Sequence, residues 1–197
     1  MEADLFARED SKYSYLWAHG YRSARWRILA RRLLARARTQ ETKPRILDLG
    51  AGKGDAIAYF TKHGFSATGV DISAYAVERL RSRGQEAYQA ALDDLSVFPD
   101  GAFEMGYSND VLEHLPEHLV DASLAEMARV CSGYLYLSVC PTPSENLSRE
   151  GENLHLTVRP KAWWEERLTR IGKVREYRIW FNRSVRYEIE LPGVRSQ

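Results

Sequence analysis

Asp48, Gly50, Gly52 and Gly54 lie in Ile46-Leu47-Asp48-Leu49-Gly50-Ala51-Gly52-Lys53-Gly54-Asp55, where an apolar run breaks into alternating glycines. Such glycines let the backbone turn sharply and approach a ligand with no Cβ in between. The free N–H groups of the helix that follows then point at that ligand. A pyrophosphate fingerprint, G-x-G-x-x-G, would need glycine at position 55, where this chain has Asp55. Asp48 repels phosphate and attracts a cation, so the pocket suits a positively charged nucleoside. Asp71, about twenty residues after the glycine turn, stands where a carboxylate takes the ribose hydroxyls of an adenosine. Ser108 and Asn109 follow the apolar run Phe103–Tyr107, at the strand end where ligands bind, and should line the cofactor or the reaction centre. His114 follows the same run and His155 follows Tyr134–Val139, so both could face one cleft and move a proton there.

The elements that must hold these residues are legible in order. Ile46–Leu49 reads as a strand buried on both faces, Asp55–His63 as a helix ended by Gly64, and Ala67–Val70 as a second strand. Ser73 caps a helix over Ala74–Arg83, which Gly84 stops. Strands follow at Gln85–Ala90, Phe103–Tyr107 and Tyr134–Val139, with a helix opened by Pro116 and running to Val130 before the last of them. Pro141–Asn153 is long and polar enough for a loop over an active site, and Pro160 suits the first turn of a helix reaching Arg170. Val174–Phe181 and Val185–Leu191 alternate about Asn182-Arg183 and read as a hairpin. Ahead of the motif, Tyr21–Arg38 is expected to be an amphipathic, arginine-rich helix whose long side chains lie over apolar surface. Tyr13, Tyr15, Trp17 and His19 suggest a segment over the pocket mouth.

The run D-x-G-x-G-x-G after a strand resembles the first motif of the class I S-adenosylmethionine-dependent methyltransferases, and Asp71-Ile72-Ser73 resembles their second. Val111-Leu112-Glu113-His114 is similar to the family's segment after the fourth strand. The resemblance runs from about Lys43 to the C-terminus. It implies a Rossmann-like α/β fold with a mostly parallel seven-stranded sheet, a C-terminal antiparallel hairpin and helices on both faces. Residues 41–197 would form the methyltransferase domain, with residues 1–40 as an arginine-rich helical extension packed on it. The cofactor implied is S-adenosyl-L-methionine, held by Asp48, Gly50, Gly52, Gly54, Asp71, Ile72, the Leu92 backbone, the Asp93 side chain, Ser108 and Asn109. Asp110-Val111-Leu112-Glu113-His114 also resembles the acid-x-x-acid-His run that holds a divalent cation in metal-dependent terminal-ribose and ubiquinone-pathway methyltransferases. Aspartate stands at 110 where those families usually have glutamate. The expectation is metal-independent transfer, with no metal ligands and with His114 and His155 as the catalytic residues.

With 197 residues the chain is long enough for a single α/β domain. Its 28 basic and 27 acidic side chains argue against bulk electrostatic attraction to nucleic acid or membrane. No apolar run reaches the length of a membrane span. Cys131 and Cys140 show no metal-ligand spacing and no signal peptide precedes the fold, so a cytoplasmic setting is expected. The acceptor expected is an oxygen of a small or carrier-bound metabolite, such as a sugar, a lipid-linked intermediate or a natural-product precursor. It would sit in a pocket lined by the 141–153 loop and the Trp163-Trp164 pair. Two other functions fit the same residues: an RNA methyltransferase that uses the arginine-rich helix as a phosphate track, and a module that binds the cofactor without turnover.

Overall fold

A computed structural model describes residues 3–21, 26–177 and 183–192. Two helices come first, α1 (Ala3–Ala18) and α2 (Trp26–Ala37). Strand and helix then alternate through β1 (Ile46–Leu49), α3 (Asp55–Lys62), β2 (Ala67–Asp71), α4 (Ala74–Arg81) and β3 (Glu86–Gln89). After them come β4 (Phe103–Asn109), a single 3-10 turn (Leu112–His114), α5 (Glu117–Val130), β5 (Cys131–Val139), α6 (Lys161–Ile171), β6 (Lys173–Tyr177) and β7 (Val185–Glu190). The seven strands form one sheet in the order β3-β2-β1-β4-β5-β7-β6. β1 to β5 are parallel, while β7 runs antiparallel to both β5 and β6. The strand order reverses at β1 and β4, and in open sheets of this kind the crevice at such a reversal takes the ligand.

Strand alternation sorts the core. Leu135, Leu137 and Val139 of β5 pack with Leu124 and Met127 of α5 and with Trp164 and Leu168 of α6. Tyr134 and Tyr136 pack with Leu29 and Leu33 of α2 and Phe60 of α3 on the opposite face. α2 presents Leu29, Ala30, Leu33, Leu34 and Ala37 to the sheet, the stripe expected of an amphipathic helix. Its arginines are partly committed. Arg36 pairs with Glu188 at 3.0 Å, and the Arg32 guanidinium lies 3.6 Å from the centre of the Tyr177 ring.

Several boundaries differ from those read in the sequence. The arginine-rich helix starts at Trp26, and Arg22–Arg25 of the expected segment lie outside the described residues. So do residues 178–182, which held the end of the expected sixth strand and the first of the two turn residues, Asn182. β4 runs two residues past Tyr107, because Ser108 and Asn109 still pair with Leu137 and Ser138 of β5. Pro160 is the cap residue before α6, with extended backbone, instead of a residue of the first turn. Among the described residues no helix is long and apolar enough to cross a membrane.

Candidate active site

The glycine turn after β1 is held from below. Gly50 N and Ala51 N both donate to the Val70 carbonyl, at 2.8 and 3.0 Å. Gly52 N donates to Asp71 Oδ2 at 2.8 Å, and Ser73 N donates to Asp71 Oδ1 at 2.9 Å. Asp71 therefore ties the first turn to the second and keeps lone pairs on both oxygens. Gly50, Gly52 and Gly54 have φ of 84°, 49° and 74°, in the left-handed region that favours glycine. Their surroundings differ, however. A Cβ at Gly52 would come 2.5 Å from the Trp17 ring of α1, whereas one at Gly54 would come 2.2 Å from Leu80 of α4. Gly54 is not among the residues that line either cavity, and the nearest atoms to a Cβ there belong to Leu80 and Gln85.

Asp48 lies under this turn, almost fully buried, and lines a cavity of about 290 Å³ with Trp17, Trp26, Gly50, Gly52 and Asn109. Burial, with added repulsion from Asp71 and Asp55, pushes its pKa up to about 8. Burial also pushes Asp71 up, to about 6, against the pull of the Ser73 and Gly52 N–H groups. Two carboxyl groups that burial makes costly to ionise are a receptive setting for a ligand cation and for hydroxyl donors.

A larger cavity of about 440 Å³ shares Trp17, Gly50 and Asn109 with the first. One end holds Asp71, Ile72, Leu92 and Asp93, and the other holds Glu113, His114, Cys140 and His155. Tyr13 and Trp17 of α1, together with Tyr21, cover it, and Pro143–Asn146 of the long loop lines it as well. Tyr15 and His19 instead stack on each other at 3.9 Å, and neither lines the cavity. Ser108 is absent from the lining. Its hydroxyl donates to the Leu49 carbonyl at 2.9 Å, away from the lining it was expected to join. The Trp163-Trp164 pair is also misplaced in the sequence-based picture. Trp164 is buried in the core under α6 and Trp163 packs against that core, so the aromatic part of the lining comes from α1 and Tyr21.

The structure brings His114 and His155 edge to face, with ring centres 4.8 Å apart. His114 Nδ1 is 2.9 Å from the Tyr13 hydroxyl. Burial, then the neighbouring His155 and Lys12, lowers its pKa to about 3, so the ring is neutral at physiological pH. His155 is half-buried. Burial pulls its pKa down, but the Cys140 thiol and the Thr142 carbonyl outweigh burial and hold it above the usual value. Asp110, which has φ of 53°, is gripped by Ser138: its N–H donates to Oγ at 3.0 Å, and Oγ donates to Oδ1 at 2.8 Å. Glu113 is wholly buried, and its pKa is raised by burial and by Asp110. Cys140, Tyr21 and Glu9 line the same cavity but were not among the expected site residues. A cysteine one residue beyond a strand and a glutamate on a polar helix carry no local signal of a pocket.

Residues 47–137 match the family described as the methyltransferase domain, a span that includes the glycine turn, Asp71 and the segment after β4. Residues 47–137 therefore form a methyltransferase domain. No curated protein matches the chain at the sequence level. Among solved structures, the chain resembles Burkholderia thailandensis 1,6-didemethyltoxoflavin-N1-methyltransferase, whose structure holds 1,6-didemethyltoxoflavin and S-adenosylhomocysteine. The TM-score is 0.70 at 17% identity, over 96% of this chain and 88% of that one. The DhpI–SAH complex matches with a TM-score of 0.68 at 20% identity, over 99% of this chain and 100% of that one. The CurJ carbon methyltransferase matches at 0.66 and 14% identity, over 83% of this chain and 53% of that one. At these identities the likeness is one of fold. One of these neighbours is an N1-methyltransferase and another a carbon methyltransferase, so the shared fold does not fix the acceptor.

Proposed function

We propose that the chain transfers the methyl group of S-adenosylmethionine to an oxygen of a small or carrier-bound metabolite by in-line displacement. The observation that carries this is the 440 Å³ cavity, which runs from Asp71 to the two histidines under a cover of α1 and the long loop. The cavity would take the cofactor beside Asp71 and the acceptor beside the histidines. In this proposal Asp71 accepts from the ribose hydroxyls, Asp48 faces the cofactor's ammonium group, and Gly50 and Gly52 let the backbone approach. Leu92 by its N–H and Asp93 by its carboxylate meet the adenine edge, with Ile72 and Asn109 packing beside the cofactor. Trp17 Nε1, buried without a hydrogen-bond partner, suits the cofactor's carboxylate.

At the acceptor end His155 takes the proton of the attacking hydroxyl through Nε2, because Nδ1 is held by the Thr142 carbonyl at 2.5 Å. His114, kept neutral, orients the acceptor. Most of the rate would come from alignment of nucleophile, methyl carbon and sulfur, a proximity effect worth up to about 7–11 kcal/mol. Arg32 and Arg36, already packed against Tyr177 and Glu188, leave α2 fewer cations for an RNA backbone.

The test is transfer of an isotope-labelled methyl group into a cell extract separated into small molecules, lipid, RNA and protein. Label in the small-molecule or lipid fraction, lost in His155→Ala with cofactor affinity unchanged, is the expected result. Label in RNA would replace the proposal, and no transfer into any fraction would leave a cofactor-binding module.

A further inference from the structure

The acceptor end carries a constellation that proton transfer leaves unused. A Glu113 carboxylate oxygen, Cys140 Sγ and a His155 ring nitrogen all lie within 4.8 Å of one another. Among the described residues it is the one such group of three or more histidine, cysteine or acidic side chains. All three also line the 440 Å³ cavity.

Each member is fixed from behind by a neighbour. A carbonyl only accepts, so the 2.5 Å contact between His155 Nδ1 and the Thr142 oxygen puts the ring proton on Nδ1 and leaves the Nε2 lone pair for a ligand. Glu113 Oε1 accepts the Cys140 N–H at 2.9 Å, while Glu113 Oε2 is buried with no hydrogen-bond partner. Thr142 Oγ1 lies 3.4 Å from Cys140 Sγ. A wholly buried carboxylate with one orphaned oxygen is costly unless a cation or a donor meets it.

We propose that Glu113, Cys140 and His155 bind a divalent cation of the zinc class, with a fourth position open to the cavity. One thiolate, one imidazole and one carboxylate suit zinc, whereas magnesium prefers oxygen ligands alone. In a tetrahedral zinc site the ligand atoms stand about 3.3–3.6 Å apart, so the trio, now within 4.8 Å, closes by up to about 1.5 Å on binding. His114 stays outside the set, with Nδ1 on the Tyr13 hydroxyl.

The inference rests on the acceptor-end assignment above and changes one part of it. In the loaded protein His155 would be a ligand, and the hydroxyl acceptor would lose its proton to solvent at the open position. Its lone pair then forms the new bond to the methyl carbon as the carbon–sulfur bond breaks, and that electron pair stays on the cofactor's sulfur as a neutral thioether.

The test needs no methyl transfer. Protein stripped of metal by a chelator is titrated with Co²⁺ alone. One equivalent should give a thiolate-to-metal charge-transfer band and the visible bands of a tetrahedral ion, both removed by Zn²⁺. Cys140→Ser should lose the charge-transfer band. Glu113→Gln, which keeps shape and removes charge, should weaken binding by about tenfold or more. Absence of stoichiometric binding at micromolar metal, or a charge-transfer band that survives Cys140→Ser, overturns the site. The two proposals fail separately. Cobalt binding without labelled-methyl transfer to any acceptor would sink only the proposed function, and metal-independent transfer without cobalt binding would sink only the metal site.

Discussion

At the scale of single residues, the two acids near the glycine turn connect folding to ligand binding. Asp48, at about 8, and Asp71, at about 6, are both raised, so between the unfolded carboxyl value and these values the folded protein holds more protons than the unfolded chain. Stability then falls as pH rises: Asp71 contributes its loss up to about pH 6, and Asp48 continues the decline to about pH 8. Asp48→Asn should flatten the upper part of that slope in denaturant titrations. A cationic ligand favours the ionised carboxylate, so S-adenosylmethionine should expel a proton when it binds below pH 8. Calorimetry at pH 6.5 in buffers of different ionisation enthalpy should show that release, and Asp48→Asn should remove most of it; equal heats in all buffers would remove Asp48 from the cofactor. Asp71→Ala should weaken cofactor binding by about 1.5–3 kcal/mol, the scale of a hydrogen bond to a charged group. An unchanged dissociation constant in a folded variant would move the ribose acid elsewhere. The places of both acids beside the glycine turn were legible in the sequence because they depend on spacing along one βαβ unit. Ser108 was not, because the direction of a strand-end hydroxyl depends on which neighbouring strand offers it a carbonyl, here that of Leu49.

Among the elements, the helices that close on glycine were the easiest to read. Gly64 and Gly84, with φ of 81° and 72°, end α3 and α4 close to where glycine stops a helix. β4 was read two residues short, since Ser108 and Asn109 are polar and only pairing with β5 keeps them in the strand. Gly54 has surroundings that the motif alone does not reveal. It belongs to the motif, yet what it meets is α4, an element that packs there only once the fold has formed. Gly54→Ala therefore combines left-handed backbone strain with a Cβ 2.2 Å from Leu80 and 2.7 Å from Gln85, whereas Gly84→Ala has similar backbone strain and open space around it. Left-handed alanine costs about 1–2 kcal/mol at either site. Equilibrium unfolding should show Gly54→Ala to be the more destabilised by a further 1–3 kcal/mol or so, the cost of overpacking. Equal losses would mean that Leu80 moves aside without cost.

For the whole molecule, the sheet and its antiparallel close followed from alternating strands and helices, because short right-handed crossovers leave few topologies open. The cover of the site did not follow, because α1 has almost no apolar stripe and Glu9 alone is buried among its residues. Polar contacts fasten it instead. Asp10 Oδ1 accepts Ala74 N at the start of α4, at 2.8 Å, and Ser14 Oγ lies 2.9 Å from Ser73 Oγ. Arg8 pairs with Glu152 across the long loop at 2.8 Å, and Tyr13 meets His114. An element with little buried apolar area opens at low free-energy cost, and the cavity beneath α1 has to admit both cofactor and acceptor. Hydrogen exchange in α1 should therefore be faster than in α5, and S-adenosylhomocysteine should slow it. Asp10→Ala removes an acceptor at a helix start, a change worth about 0.5–2 kcal/mol, and leaves both faces of the core untouched. It should speed exchange through α1 and the first turn of α4 without ligand and weaken cofactor binding several-fold, while exchange in the central strands stays slow. If α1 exchanges as slowly as α5 and responds neither to the ligand nor to Asp10→Ala, the helix is a fixed wall, and both ligands must enter past the 143–146 loop.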